Sequence, residues 1–186
     1  MSVLVLAEDK HYEPIQVIAR RAGLARVRVF PMRGNKVEKL AGWVLAFYSR
    51  YARFVVLKDL ESYEESVIRE RFQEALRRVE AELGSAGPDV RLVIVRRAVE
   101  SWLLADPDAI EAVIGCKLGS RIRRSLERPE QIDKPKGLLA HLARRCGRIY
   151  NPGLSARIAA SLDLNLARKR APSLDDFLKA IAQGGQ

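Results

Sequence analysis

Residues 54–61 read Phe-Val-Val-Leu-Lys-Asp-Leu-Glu, an unbroken apolar run that ends on a lysine and two acids. Four consecutive apolar residues, β-branched at the centre, describe a strand buried on both faces, since a strand with one wet face would alternate. Two further runs have the same form: Val3-Leu4-Val5-Leu6 before Glu8, and Leu92-Val93-Ile94-Val95 before Glu100. Helical stretches separate the three, which predicts a parallel sheet. The C-terminal ends of parallel strands share one edge, so Glu8, Asp59, Glu61 and Glu100 are expected to converge although they are distant in sequence.

Crowded carboxylates repel one another and stay partly protonated unless a cation compensates them. Oxygen ligands of this kind favour Mg²⁺ or Mn²⁺ over zinc, and magnesium completes its shell with water and phosphate oxygens. Asp59 and Glu61, two apart in extended chain, point the same way. Glu13, just before Pro14, is a further candidate. Structural roles compete at several positions. Glu13 and Glu61 can complement helix dipoles, and Glu100 can pair with Arg96 or Arg97. Asp59 and Glu8 lack such an alternative, because an acid directly after an apolar strand gains nothing from burial. Lys58 either touches these acids or a substrate phosphate, or points to the opposite face. His11 lies between Glu8 and Glu13, within reach of substrate or metal or simply solvated.

Outward from these runs, Pro14 fits the first turn of a helix ending near Gly23, and Arg26–Phe30 alternates as a half-buried strand. Helices are expected over 36–50 and from Tyr63 to Leu83, the latter with Val67, Ile68, Phe72, Leu76, Val79 and Leu83 as its inner stripe. Beyond residue 98 the pattern becomes helical, with segments near 99–105, 107–114, 136–146, 153–162 and 173–182. Asp106 precedes Pro107 as an N-cap would, and Ser173 with Asp176 has the spacing of a capping box. The division expected is an α/β core over 1–98 and a basic helical extension over 99–186. The Gly-Gly tail is expected to be disordered, Trp102 to pack the first helix of the extension against the sheet, and Trp43 to lie in the core or an interface.

The 186 residues, 48% hydrophobic, are ample for one packed domain. No stretch reaches the roughly 20 apolar residues needed to span a bilayer, and the start lacks a leader pattern, so a cytoplasmic protein is expected. Cys116 and Cys146 are expected to be buried reduced thiols rather than a disulfide or zinc site. The net charge of +10 is segregated, because residues 117–170 hold 14 Lys or Arg against four acids, leaving the rest balanced. Such a region suits polyanions, although a basic surface need bind nothing specific. Candidate phosphate contacts are Lys134 and Lys136, stiffened by Pro135, then Arg144, Arg145, Lys169 and Arg170. There is no P-loop, no G-x-S-x-G elbow and no zinc-spaced Cys/His set.

The acids Glu8, Glu13, Asp59, Glu61 and Glu100, placed after apolar strands, resemble the Toprim domain of topoisomerases, primases and the overcoming-lysogenization-defect nucleases. The segments ESWLLADPDAI at 100–110, PEQIDKPKGLL at 129–139 and PSLDDFL at 172–178 resemble small stand-alone prokaryotic Toprim-like proteins of largely unassigned function. The resemblance implies a Rossmannoid core with a mostly parallel four-stranded sheet and a C-terminal helical extension. It implies Glu8 as metal ligand or general acid/base, Asp59 with Glu61 as the paired acids that hold Mg²⁺, and Glu13 and Glu100 as further ligands. Two departures stand out: Asp9 occupies the place of a usual glycine, and Glu61 replaces a usual aspartate.

The expected function is Mg²⁺- or Mn²⁺-dependent phosphodiester hydrolysis of DNA or RNA, with water as nucleophile because this chain lacks the DNA-gripping domain that attack by a tyrosine such as Tyr12, Tyr63 or Tyr150 needs. Two alternatives stay open. One is a catalytically degenerate nucleic-acid-binding or regulatory subunit working with a separate ATPase. The other is a phosphatase or nucleotidyl transferase on small nucleotides.

Overall fold

In the computed structural model, which describes residues 2–8, 12–24, 26–32, 37–60, 64–84 and 87–182, the apolar runs form a four-stranded parallel sheet. The first part of the chain runs β1 (Val3–Ala7), α1 (Glu13–Arg21), β2 (Val27–Pro31), α2 (Leu40–Phe47), β3 (Arg53–Asp59), α3 (Glu65–Leu83) and β4 (Asp89–Val95). Strand order is β2-β1-β3-β4. The register pairs Ala7 with Leu57 and Asp59 with Val95. Side chains alternate across the sheet. Val3, Val5, Val55, Leu57, Val93 and Val95 enter one apolar cluster with α1, while Leu4, Leu6, Phe54 and Val56 enter another with Leu40, Val44, Phe72 and Val79. Burial on both faces holds for β1 and β3 as the unbroken runs required, whereas β4, at the sheet edge, buries Val93 and Val95 and leaves Leu92 and Ile94 half-buried.

The expected helix over 36–50 is shorter: a 3-10 turn at Val37–Lys39 leads into α2, and the chain turns again before β3. Trp43 stacks on Phe47, ring centroids 5.9 Å apart, with Phe30 tilted against both. Tyr63, where the long helix was expected to start, and the 183–186 tail lie outside the described residues. The outer edge of β2 is covered by Gln16, whose amide donates to the Val27 carbonyl and accepts from the Val29 N–H, 2.9 and 3.0 Å. This occupies backbone groups that would otherwise template another strand.

The helical part consists of α4 (Glu100–Leu104), α5 (Pro107–Ile114), α6 (Ser120–Ser125), α7 (Pro135–Arg145), α8 (Pro152–Ser161), α9 (Leu164–Arg170) and α10 (Pro172–Ala182). Sequence periodicity missed α6 and α9. Ser-Arg-Ile-Arg-Arg-Ser carries a single apolar residue, and Leu-Asn-Leu-Ala-Arg-Lys-Arg ends in three cations, so neither shows a stripe. A cap fixes α9 instead, the Asp163 side chain accepting from the Asn165 and Leu166 N–H groups. Asp106 caps α5 as expected, and its second oxygen accepts from the Asp163 N–H at 2.8 Å.

The three segments that carry the family resemblance meet at one buried point. The Trp102 indole N–H donates to Ser173 Oγ at 2.8 Å, and the Ser173 hydroxyl and backbone N–H both donate to Glu130 Oε1. Trp102 also stacks on Phe177 with centroids 5.3 Å apart, within the same apolar cluster as the sheet. Ser173 therefore does not form the expected capping box with Asp176. It sits inside α10 and spends its hydroxyl on Glu130.

Glu111 fastens the chain after α5. Its carboxylate accepts from Lys117 Nζ, the Leu118 N–H and Arg123 Nη1 at 2.7–2.9 Å. These donors, the Lys117 bond foremost, hold its pKa down from 4.5 to about 2 against the cost of burial. Close by, the cysteine expectation is overturned. Cys116 and Cys146 are only half-buried and are bonded to each other, their Cα atoms 5.9 Å apart, joining the end of α5 to the end of α7. Helix packing brings into range two residues that are 30 apart in sequence, which spacing alone could not reveal.

Two outcomes follow. Thiol titration of the native protein should find no reactive cysteine, and reduction should lower the unfolding free energy by about 3 kcal/mol, read from denaturant midpoints; two titratable thiols in unreduced protein would contradict the pairing. A carboxylate whose folded pKa is depressed contributes stability above its unfolded pKa and loses it as pH falls. Wild type should therefore lose stability between pH 4.5 and about 2, and Glu111→Gln should flatten that part of the profile.

Candidate functional site

The β1–β3 register places Glu8, one residue past Ala7, beside Lys58, one residue past Leu57. Lys58 Nζ donates to Glu8 Oε2 at 2.6 Å, and the Asp59 backbone N–H donates to the same oxygen at 3.2 Å. The pair is withdrawn from water, the Lys58 and Glu8 side chains being 6% and 11% exposed. Alternation from Val56 carries Lys58 away from the side Asp59 faces, yet its long stem returns the ammonium to the acid edge.

Glu8, Asp59 and Glu100 line one pocket at this edge, walled by Ala7, Ile15, Leu57 and Leu103. Glu100 opens α4 and is buried. Its partner is neither Arg96 nor Arg97, the pairing considered from sequence. Tyr150, on the loop between α7 and α8, donates its hydroxyl to Glu100 Oε1 at 3.2 Å. Arg97, held in a left-handed conformation at φ 72°, instead pairs with Asp133 at 2.9 Å. Tyr150 is the residue that sequence reasoning left out of the site. Its only local signal is the helix start at Asn151-Pro152 that follows, and the 50 residues between it and Glu100 hide the contact.

Glu13 is the first residue of α1, next to Pro14 and Ile15 of the pocket wall, and its Oε2 is buried with no hydrogen-bond partner among the described residues. A buried carboxylate oxygen with no donor is a feature that a cation or water satisfies. Asp9, His11 and Glu61 lie outside the described residues. Among the described residues, no three His, Cys, Asp or Glu side chains are grouped closely enough to hold a metal ion. The donors at this edge are all oxygen, the type a hard cation takes, and Lys58 supplies positive charge to Glu8.

The candidate phosphate contacts divide between places. Lys134 and Lys136 stand at the start of α7 and Arg144 and Arg145 at its end, all exposed, about 15 Å apart along the axis. The Arg97–Asp133 ion pair ties the residue before Lys134 to the chain leaving β4. Lys169 is exposed on α9, whereas Arg170 is half-buried and donates to the Ala105 carbonyl at 3.0 Å.

Residues 5–182 match the family described as Domain of unknown function (DUF4276). The chain belongs to that family. No curated protein matches this DUF4276 chain. Among solved structures, the C-terminal region of the Burkholderia pseudomallei OLD protein is similar, with a TM-score of 0.51 and 15% identity over 95% of this chain and 98% of that one. At that identity the likeness concerns the fold: a parallel four-stranded sheet with helices on both faces and a helical C-terminal part. No described helix of this DUF4276 chain is long and apolar enough to cross a membrane.

Removing one member of a buried ion pair strands the other charge. Lys58→Met should lower stability by about 3 kcal/mol, and Mg²⁺ should raise the melting temperature of this variant more than that of wild type; the double variant with Glu8→Gln should recover most of the loss. Equal stability of Lys58→Met and wild type would show that the pair is solvent-screened.

Proposed function

We propose that this DUF4276 chain is a Mg²⁺- or Mn²⁺-dependent phosphodiester hydrolase acting on DNA or RNA, built on a Toprim-like core whose helical part, residues 99–186, grips the substrate. The observation that supports this reading is the convergence of Glu8, Asp59 and Glu100 in one pocket at the sheet edge. In it, Glu8 and Asp59 hold the ion, with Glu13, Glu61 and Glu100 as further ligands. Such an ion supplies positive charge that neutralises the scissile phosphate and eases deprotonation of an attacking water. Glu8, with one oxygen engaged by Lys58 and the Asp59 N–H, is fixed in orientation. Tyr150 orients Glu100 through their hydrogen bond. Lys134, Lys136, Arg144, Arg145 and Lys169 hold backbone phosphates, with Arg170 contributing whatever its bond to Ala105 leaves unused. A cytoplasmic setting belongs to this reading, and the Cys116–Cys146 pair is the feature that pulls against it.

A second reading has a specific observation in its favour. Lys58 already compensates Glu8, and the described residues alone make no metal cage. That suits a nucleic-acid-binding subunit that keeps the fold and works with a separate ATPase. Calorimetric titration with Mg²⁺ and Mn²⁺ separates the two, because only the hydrolase gives an Asp59-dependent binding signal.

The hydrolase reading predicts that protein supplied with Mg²⁺ or Mn²⁺ cleaves at least one of single-stranded, double-stranded and structured DNA or RNA. Chelator should abolish cleavage, and Asp59→Ala should slow it on the order of 100-fold while leaving affinity intact. No cleavage of any substrate with either metal would sink the claim.

A further inference from the structure

The most exposed large apolar side chain among the described residues is Ile149, 81% exposed, on the loop between α7 and α8. Its neighbours in sequence and space are cationic. Arg144, Arg145 and Arg148 precede it, and Arg157 shares with Arg148 and Ile149 a surface groove floored by Gly153 and Leu154. All four arginines are exposed, and none has a side-chain hydrogen bond or ion pair among the described residues. Elsewhere in the basic stretch Lys117 and Arg123 pair with Glu111, Arg168 with Asp175, and Arg170 bonds the Ala105 carbonyl.

The loop holds this side chain out rigidly. Helix α7 ends in a Schellman motif, in which Gly147 at φ 66° lets the Arg148 N–H reach the Ala143 carbonyl at 2.8 Å and its own N–H reach Arg144 at 3.0 Å. Cys146 is bonded to Cys116 at the loop's entry, and Asn151 caps α8 at its exit by accepting from the Leu154 N–H. The residue next to Ile149 is Tyr150, which reaches into the carboxylate pocket and bonds Glu100. The outward apolar tip and a residue of the candidate active site are therefore neighbours on one loop, their Cα atoms about 3.8 Å apart.

We propose that Ile149 is a wedge that enters the base stack of duplex DNA beside the scissile phosphate, while Arg144, Arg145, Arg148 and Arg157 grip the flanking backbones. The four arginines select a polyanion over a neutral apolar partner. The aliphatic tip selects duplex over single strand, because single-strand platforms stack bases on aromatic rings, whereas aliphatic side chains are the wedges that part base steps and kink a duplex. The exposed rings among the described residues are Phe30 on β2 and Tyr48 at the end of α2, not on this loop. The proposal rests on the nucleic-acid reading of the site and adds to it the substrate form and the contact that opens it.

The test uses full-length protein carrying Asp59→Ala, so that binding is read without cleavage, and a 20-base-pair DNA duplex with a central 2-aminopurine. Protein should raise the probe's emission several-fold, and adding Ile149→Ser should remove the rise while changing affinity less than about threefold. Adding Arg145→Ala with Arg148→Ala should weaken binding about tenfold or more and flatten its salt dependence by roughly two phosphate contacts. Thermal melts of these exposed-residue variants should match the parent protein, as folded variants would. An unchanged emission rise with Ile149→Ser, no rise with the parent protein, or no duplex binding overturns the wedge. Cleavage by wild type without an emission rise would leave the hydrolase reading standing, and an emission rise with no cleavage by wild type would leave the wedge standing alone.

Discussion

The parallel ladder between β1 and β3 is the constraint on which the rest depends. Because Ala7 lies opposite Leu57, the next residues out, Glu8 and the Lys58-Asp59 pair, must leave the sheet side by side. Glu8 then accepts from both the Lys58 ammonium and the Asp59 N–H, so its charge is held in place before any substrate arrives. Slipping the ladder by one residue would turn every core side chain of β3 to the wrong face. Burial on both sides of the sheet thus fixes the acid edge as a by-product of packing.

The helical part completes that edge rather than standing apart from it. Glu100 opens α4, Tyr150 comes from the loop after α7, and both depend on where α4 sits. That position is set by Trp102, fully buried, stacked on Phe177 and hydrogen-bonded through Ser173 to Glu130. The motifs at 100–110, 129–139 and 172–178 therefore carry a structural message, since they lock three helical segments around one indole. The residues proposed for chemistry, Glu100 and the lysines that follow Asp133, sit at their margins.

Much of this was legible because it is local. Strand runs, the Asp106 cap and the inner stripe of α3 follow from side-chain periodicity and short-range hydrogen bonding, and the acid edge follows from parallel topology. What stayed hidden depends on contacts across long separations. The Tyr150–Glu100 bond and the Cys116–Cys146 link join residues 50 and 30 positions apart with no spacing rule to betray them, and the Lys58–Glu8 pair is one of three readings that sequence leaves open for Lys58. Helices α6 and α9 lacked an apolar stripe because short segments are held by caps and ion pairs instead of a broad face. Glu61 and Asp9, the two departures from the Toprim pattern, lie outside the described residues, so of the acids singled out from sequence only Glu8, Glu13, Asp59 and Glu100 can be placed.

The central claim is that carboxylates assembled by the β1–β3 ladder bind a divalent ion, and a crystal soaked in Mn²⁺ reads it most directly. The account predicts an anomalous peak within coordinating distance of the Glu8 and Asp59 carboxylates. A map with no peak at that edge, and Lys58 still seated on Glu8, would contradict it.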